Sequence, residues 1–482
     1  MDVGMLIDAR ESFAESGELF NRRNPMTGDV VTRAAAGKTK DVDRAVNAAA
    51  KAFSVWSKMG PTQRRAVLLK AADLFDEATP QFMEVAAQET GATKIWLGFN
   101  VMLAARMIRE AAAMTTQISG QTIPSDKPGT YAMTLRRPVG VLVGMAPWNA
   151  PIILSVRAVA MPLACGNTVV LKASERCPRT HVMIGEIFAK AGLPEGALNV
   201  VTHSAEDAPE VVSALIAHPK VKRINFTGST RVGKIIAEQA GRYLKPVLLE
   251  LGGKAPMIVL DDADLDAAVN SAAFGAFLNQ GQICMSTERI IVDEKIADAF
   301  VEKFAAKAAS LSFGKSTENV VLGSVVDMDI IERVRILVDD ATGKGGKLVN
   351  GGVPNEGTIM PATVVDCVTS DMLLYGQESF GPIVCVIRAR DTEHAIELAN
   401  DSEYGLSSAV FGSDINRAMD VASRVEAGIC HINGPTVADE AHMPFGGMND
   451  SGYGRFGGQS GVDAFTELRW VTIEDPHQHY PF

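Results

Sequence analysis

Between residues 139 and 240 the chain alternates short apolar runs with longer stretches whose apolar positions recur every three or four residues. The runs 139–145, 168–172, 198–201 and 223–227 read as buried strands, and 151–163, 180–191, 208–217 and 231–240 as the helices between them. Short strands separated by helices of this length predict a parallel sheet in an α/β fold. A second alternation follows, with strands expected at 256–260, 289–292, 383–388, 409–411 and 428–433 and helices at 265–278, 297–310, 329–342, 392–400 and 415–425. Upstream, an alanine-rich pattern from Asp41 to about Met59 reads as a helix with Asp41 as its N-cap, and Pro61 opens a second helix. Residues 80–89 and 94–117 continue the helical region, with Ile95, Trp96, Phe99 and Leu103 on one apolar face. The first twenty residues read as a polar arm, and 131–137 and 466–472 as strands.

Composition narrows the partners. A chain of 482 residues has room for two or three domains. The net charge of −11 argues against nucleic acid or an anionic membrane as the main partner. The most apolar region, 139–171, is interrupted by Pro147, Asn149, Pro151, Arg157 and Pro162, which is too often for a membrane span. Six cysteines without a C-x-x-C pair predict a reduced, cytoplasmic setting, and no histidine spacing implies a metal. The N-terminus shows no signal-peptide pattern.

Two segments carry candidate chemistry. Asn279 to Arg289 (NQGQICMSTER) sets Cys284 in a turn between a helical run and a strand. Leu248 to Lys254 (LLELGGK) puts the lone carboxylate of Glu250 in an apolar run ending in two glycines. A thiol beside a carboxylate able to activate water points to covalent catalysis followed by hydrolysis. The apolar neighbours of Glu250 should raise its pKa towards neutrality. No G-x-G-x-x-G follows a strand, but Gly228, Ser229 and Thr230 stand at a predicted helix N-terminus suited to phosphate.

The segments PWNAP (147–151), LKASE (171–175), FTGST (226–230), LELGGK (249–254), GQICMSTER (281–289), ESFGP (378–382) and PFGGMNDSGYGR (444–455) occur in the order found in the NAD(P)-dependent aldehyde dehydrogenase superfamily. The chain resembles that superfamily over nearly its whole length, and within it the salicylaldehyde and vanillin dehydrogenases that oxidise aromatic aldehydes. The resemblance implies an α/β fold of three parts. These are a Rossmann-like cofactor domain (1–118 and 138–248), an α/β catalytic domain (249–453) and bridging segments (119–137 and 454–482) that form a homodimer or homotetramer. It implies Cys284 as nucleophile, Glu250 as base on the hydrolytic water, and Asn149 with the Cys284 N–H as oxyanion donors; Asn149 also reads as a helix N-cap.

For the cofactor, NAD, the resemblance implies Lys172 and Glu175 at the adenosine ribose, Gly228 and Ser229 at the pyrophosphate, and Glu378 and Phe380 at the nicotinamide end. Gly233, Leu251 and Trp148 complete that set. A carboxylate at Glu175 favours NAD over NADP. Thr202, His203 and Ser204 depart from a turn that is often glycine-rich in relatives. For the substrate, Ala150, Ile153, Leu154 and Arg157 share one helix face, and Trp96 and Phe445 are further wall candidates. Arg157 either contacts an aromatic aldehyde or is paired with a nearby carboxylate. The alternative substrate is an aliphatic semialdehyde whose distal carboxylate would bind Arg157. A coenzyme A-acylating reaction and a non-catalytic binding protein are further alternatives, against which Glu250 and the intact Cys284–Asn149–Glu250 set argue.

Overall fold

A computed structural model describes residues 2–482. Five parallel strands form the centre of an eight-stranded sheet, in the order Val247–Glu250, Val221–Thr227, Val141–Met145, Thr168–Lys172, Leu198–Val201. Their apolar residues are buried on both faces, as continuous rather than alternating runs require. The chain builds outward from Val141–Met145 in one direction, then returns to its other side with Val221–Thr227. The direction of winding therefore reverses between these two neighbours. Such a reversal leaves a crevice at the carboxyl ends of the strands, the usual ligand position in open α/β sheets. The loops that leave there are Pro147–Asn149 and Gly228–Ser229.

A second sheet of seven strands has Thr287–Asp293 and Ala255–Val259 at its centre, parallel to each other and to Ile383–Ala389 and Ser407–Phe411. It carries the Cys284 loop at the entrance to one central strand. A third, antiparallel sheet joins Thr122–Ile123, Tyr131–Pro138 and Thr466–Ile473. It leaves Tyr131, Leu135, Leu468 and Trp470 exposed.

Three expectations change. Residues 2–12 are not a polar arm: Met5–Ile7 is a buried strand pairing antiparallel with Leu198–Val201. Three apolar residues among charged ones were enough to extend that sheet, and Arg10–Ser12 folds back as its edge strand. The first helix is Thr39–Trp56, with Lys38 as N-cap; Asp41 sits in its first turn, where its carboxylate accepts the Lys38 N–H at 3.1 Å. The strand Val247–Glu250 belongs to the eight-stranded sheet, which also takes in Gly452–Tyr453 as its antiparallel edge. One strand thus runs through the boundary expected between residues 248 and 249, and the chain returns to the first sheet at 452.

Candidate active site

The helix Leu265–Phe277 ends in a tight turn in which Asn279, Gln280 and Gly281 all take positive φ (49°, 56° and 69°). Two non-glycine residues in succession in this region are costly and persist only where their surroundings hold them. Here side-chain amides do so. Asn279 Nδ2 donates to Asn149 O at 2.9 Å, Gln280 Nε2 to Ser324 O at 2.9 Å, and Gln282 Oε1 accepts Val326 N–H at 2.9 Å. The turn presents Cys284, half-buried, at the approach to the strand Thr287–Asp293.

Asn149 meets this loop from the other sheet. Its Nδ2 donates to Gln282 O at 3.0 Å, which leaves its second amide hydrogen free of that bond. Trp96 Nε1 donates to Asn149 O at 2.9 Å and fixes the backbone from behind. Asn149 is not the helix cap: Ala150 is the N-cap of Pro151–Ala164, and the asparagine side chain reaches across to the cysteine loop instead.

Glu250 ends its strand fully buried, and neither carboxylate oxygen has a hydrogen-bond partner among the described residues. Burial pushes its pKa up to about 7, against the opposing pull of Cys284 and Arg157. Burial and the facing Glu250 carboxylate push the Cys284 thiol well above its ordinary value. Burial therefore favours the neutral form of both groups. At Gly253 an added Cβ would stand 2.3 Å from Cys284 O, so the two motif segments touch backbone to backbone.

Three hollows join at this point. One, of about 430 Å³, runs from Lys172 and Glu175 past Trp148 to Gly228 and Ser229. The next, of about 220 Å³, continues from Gly228 and Ser229 to Leu251, Glu378, Phe380, Glu250 and Cys284. The third, of about 180 Å³, meets it at Asn149, Leu154 and Cys284 from the opposite side. Its wall contains Trp96, Ala150, Ile153, Leu154, Arg157 and Phe445. The expected cofactor and substrate residues thus lie along two tracks that converge on one sulfur. Gly233 is the exception: it faces Leu251, whose Cδ2 would lie 2.4 Å from an added Cβ, and so lets the helix Thr230–Arg242 pack closely.

The long track has the donor set of a dinucleotide site. Ser229 caps the helix Thr230–Arg242, whose first N–H groups face the crevice at the strand ends. Glu378 accepts Gly253 N–H at 2.9 Å through one oxygen. Burial, then neighbouring Glu288, push its pKa up to about 7. Phe380 and Trp148 meet edge to face, ring centroids 5.7 Å apart. Lys172 Nζ lies 3.0 Å from His203 Nε2, so the unusual turn at 202–204 anchors the lysine. Burial, then Lys172, lower the His203 pKa to about 4, which leaves the imidazole neutral. Burial would raise Glu175, but Lys172, a backbone hydrogen bond, His203 and Arg176 together hold the carboxyl below its ordinary range.

Residues 13–471 match the aldehyde dehydrogenase family. The chain belongs to that family. This aldehyde dehydrogenase is 56% identical over 482 residues, 100% of both chains, to a vanillin dehydrogenase of Pseudomonas fluorescens. It is 52% identical to a salicylaldehyde dehydrogenase of Pseudomonas putida, covering 96% of each. A crystal structure of the salicylaldehyde dehydrogenase of Pseudomonas putida G7 complexed with salicylaldehyde superposes with a TM-score of 0.99, at 50% identity over 100% of both chains.

Sequence reasoning missed two charged residues of this aldehyde dehydrogenase. Asp439 pairs with Arg157, 282 positions away; Arg157 is buried and Asp439 half-buried. Nothing local marks it. Glu288, four residues after Cys284, is buried at the start of a core strand. The adjacent charges Glu288 and Arg289 leading into the apolar run 290–292 were the available signal.

Proposed function

We propose that this aldehyde dehydrogenase oxidises a single-ring aromatic aldehyde to its carboxylate, with NAD⁺ as acceptor and water as the second reactant. The observation that carries the substrate class is the short hollow beyond Cys284. It is walled by Trp96, Phe99, Phe274 and Phe445. Its one cation, among the described residues, is already neutralised: Arg157 pairs with Asp439 and lies 4.0 Å from the Phe445 ring centroid. A semialdehyde carboxylate would have to displace Asp439 from that pair. An aromatic ring fits the apolar wall without doing so, and the relatives above are named for aromatic aldehydes.

Cys284 transfers its proton to Glu250 and attacks the aldehyde carbon. The oxygen of the resulting thiohemiacetal sits against the free amide hydrogen of Asn149 and the Cys284 N–H, donors of the kind that stabilise developing negative charge. When bound, NAD⁺ supplies the hydride acceptor that turns this adduct into a thioester. Glu250 passes the thiol's proton to solvent and, ionised again, draws a proton from water, whose oxygen attacks the thioester carbon; the bond to sulfur breaks, the carboxylate leaves, and Cys284 takes the proton back from Glu250. A base with a pKa near 7 suits both transfers.

Glu175, held ionised beside Lys172, would hydrogen-bond a free ribose 2′-hydroxyl and repel a 2′-phosphate, which supports NAD over NADP. The exposed apolar side chains of the three-stranded sheet, Trp470 at 75% among them, support assembly into a dimer or tetramer through that sheet. No helix of the described residues is long and apolar enough to cross a membrane, and a cytoplasmic location is part of this reading. Turnover on benzaldehyde, salicylaldehyde, vanillin and succinic semialdehyde, each with NAD⁺ and NADP⁺, tests it. Preference for succinic semialdehyde, or for NADP⁺, would overturn the corresponding part.

A further inference from the structure

Glu288 is an ionisable group that none of these roles uses. Its buried carboxylate accepts Lys254 Nζ at 2.5 Å, Ser379 N–H at 2.9 and 3.0 Å, and Phe380 N–H at 3.2 Å. Glu288 and its partners fall in three different motifs. Lys254 follows Glu250 by four residues, Glu288 follows Cys284 by four, and Ser379 and Phe380 come directly after Glu378. One carboxylate therefore ties together, behind the site, the segments that carry the base, the nucleophile and the ribose carboxylate. Phe380 needs such a hold. It sits at φ 51°, a conformation unfavourable for a bulky residue, and its ring stands edge to face with Trp148 in the groove. The charge-assisted bonds from Ser379 and Phe380 to Glu288 oppose its relaxation.

We propose that Glu288 is a positioning residue for the nicotinamide end of the cofactor groove. It fixes the Ser379–Phe380 backbone and so sets Glu378 and the Phe380 ring before the dinucleotide arrives. This rests on the dinucleotide reading of the groove given above. Glu288 touches neither cofactor nor substrate; it acts through the 378–380 segment.

Two full-length double variants of nearly equal size, K254M/E288Q and K254M/E288M, test the proposal. Both remove the ion pair as a whole, which leaves no unpaired buried charge. They differ in the acceptor oxygen for Ser379 and Phe380. Binding of NADH and of AMP is measured by calorimetry. AMP reaches only the Lys172–Glu175 end. K254M/E288Q is expected to bind NADH within threefold of wild type. K254M/E288M is expected to lose at least tenfold for NADH, with AMP unchanged within twofold. Equal NADH affinity in the two variants would overturn the proposal, and so would parallel loss of NADH and AMP, the mark of a merely structural role. A variant recovered only unfolded would overturn it in the same way, by showing that Glu288 serves stability alone. Wild-type protein that bound neither ligand would overturn the dinucleotide reading instead.

Discussion

Replacing Glu250 by glutamine should stabilise the folded protein while abolishing most of its turnover, and the stabilisation should depend on pH in a defined way. Burial raises this carboxyl from 4.5 to about 7, a shift of about 2.5. At ~1.4 kcal/mol per pKa unit, the ionised form costs the native state about 3 kcal/mol relative to the protonated form. The sign follows from proton binding. Between pH 4.5 and 7 the folded chain holds a proton at Glu250 that the unfolded chain has lost. Wild-type stability from this group is therefore full below pH 4.5, falls through that window, and is flat above pH 7. E250Q carries no such cost. Melting temperatures of the two proteins should coincide near pH 4.5 and diverge up to pH 7, with E250Q the higher; taking the difference cancels the other titrating groups. In the same series, wild-type kcat/KM should fall below about pH 7 as the base is protonated, and E250Q should lose ~10²–10⁴-fold in turnover. A pH-independent melting difference, or E250Q turnover within tenfold of wild type, would refute the assignment of a strained, reactive carboxylate.

Four further outcomes follow from the same geometry. N149A should lower kcat ~10²–10³-fold with a smaller change in KM, because the amide acts on charge that develops during reaction; steady-state kinetics decide. D439A should cost about 3–5 kcal/mol in stability by leaving Arg157 buried and unpaired, whereas R157M/D439L should be close to neutral, read by denaturation. The Arg157–Asp439 pair and Phe445 also separate the aromatic hollow from a second cavity lined by Met107, Ala160 and Met161, so R157A/D439A should raise 4-biphenylcarbaldehyde turnover relative to benzaldehyde. E175Q should improve kcat/KM for NADP⁺ relative to NAD⁺ about tenfold or more, and an unchanged ratio would remove Glu175 from cofactor selection.

The parallel strands were legible because strands buried on both faces must be mostly apolar, and the runs at 141–145, 168–172 and 198–201 are. That Cys284, Glu250 and Asn149 would line one hollow was legible from their motifs, since each sits in a turn or strand end whose shape its neighbours impose. What was not legible is long-range. No spacing announces that Asp439 will neutralise Arg157, or that Met5–Ile7 will pair with Leu198–Val201. The Asp41 misreading is local: a carboxylate in the first turn and one at the cap both serve free N–H groups, and a capping box puts the carboxylate three residues inside the helix end. Asn149 and Pro151 gave a cap-like signature, but the stronger demand came from Gln282 O across the cleft.

The hollows that converge on Cys284 from opposite sides have a pharmacological consequence. A ligand lodged among Trp96, Phe274 and Phe445 occupies no space on the Lys172-to-Phe380 side. Inhibitors shaped for the ring side should compete with aldehyde yet leave nucleotide affinity intact, and a tethered compound threading past the sulfur could engage both.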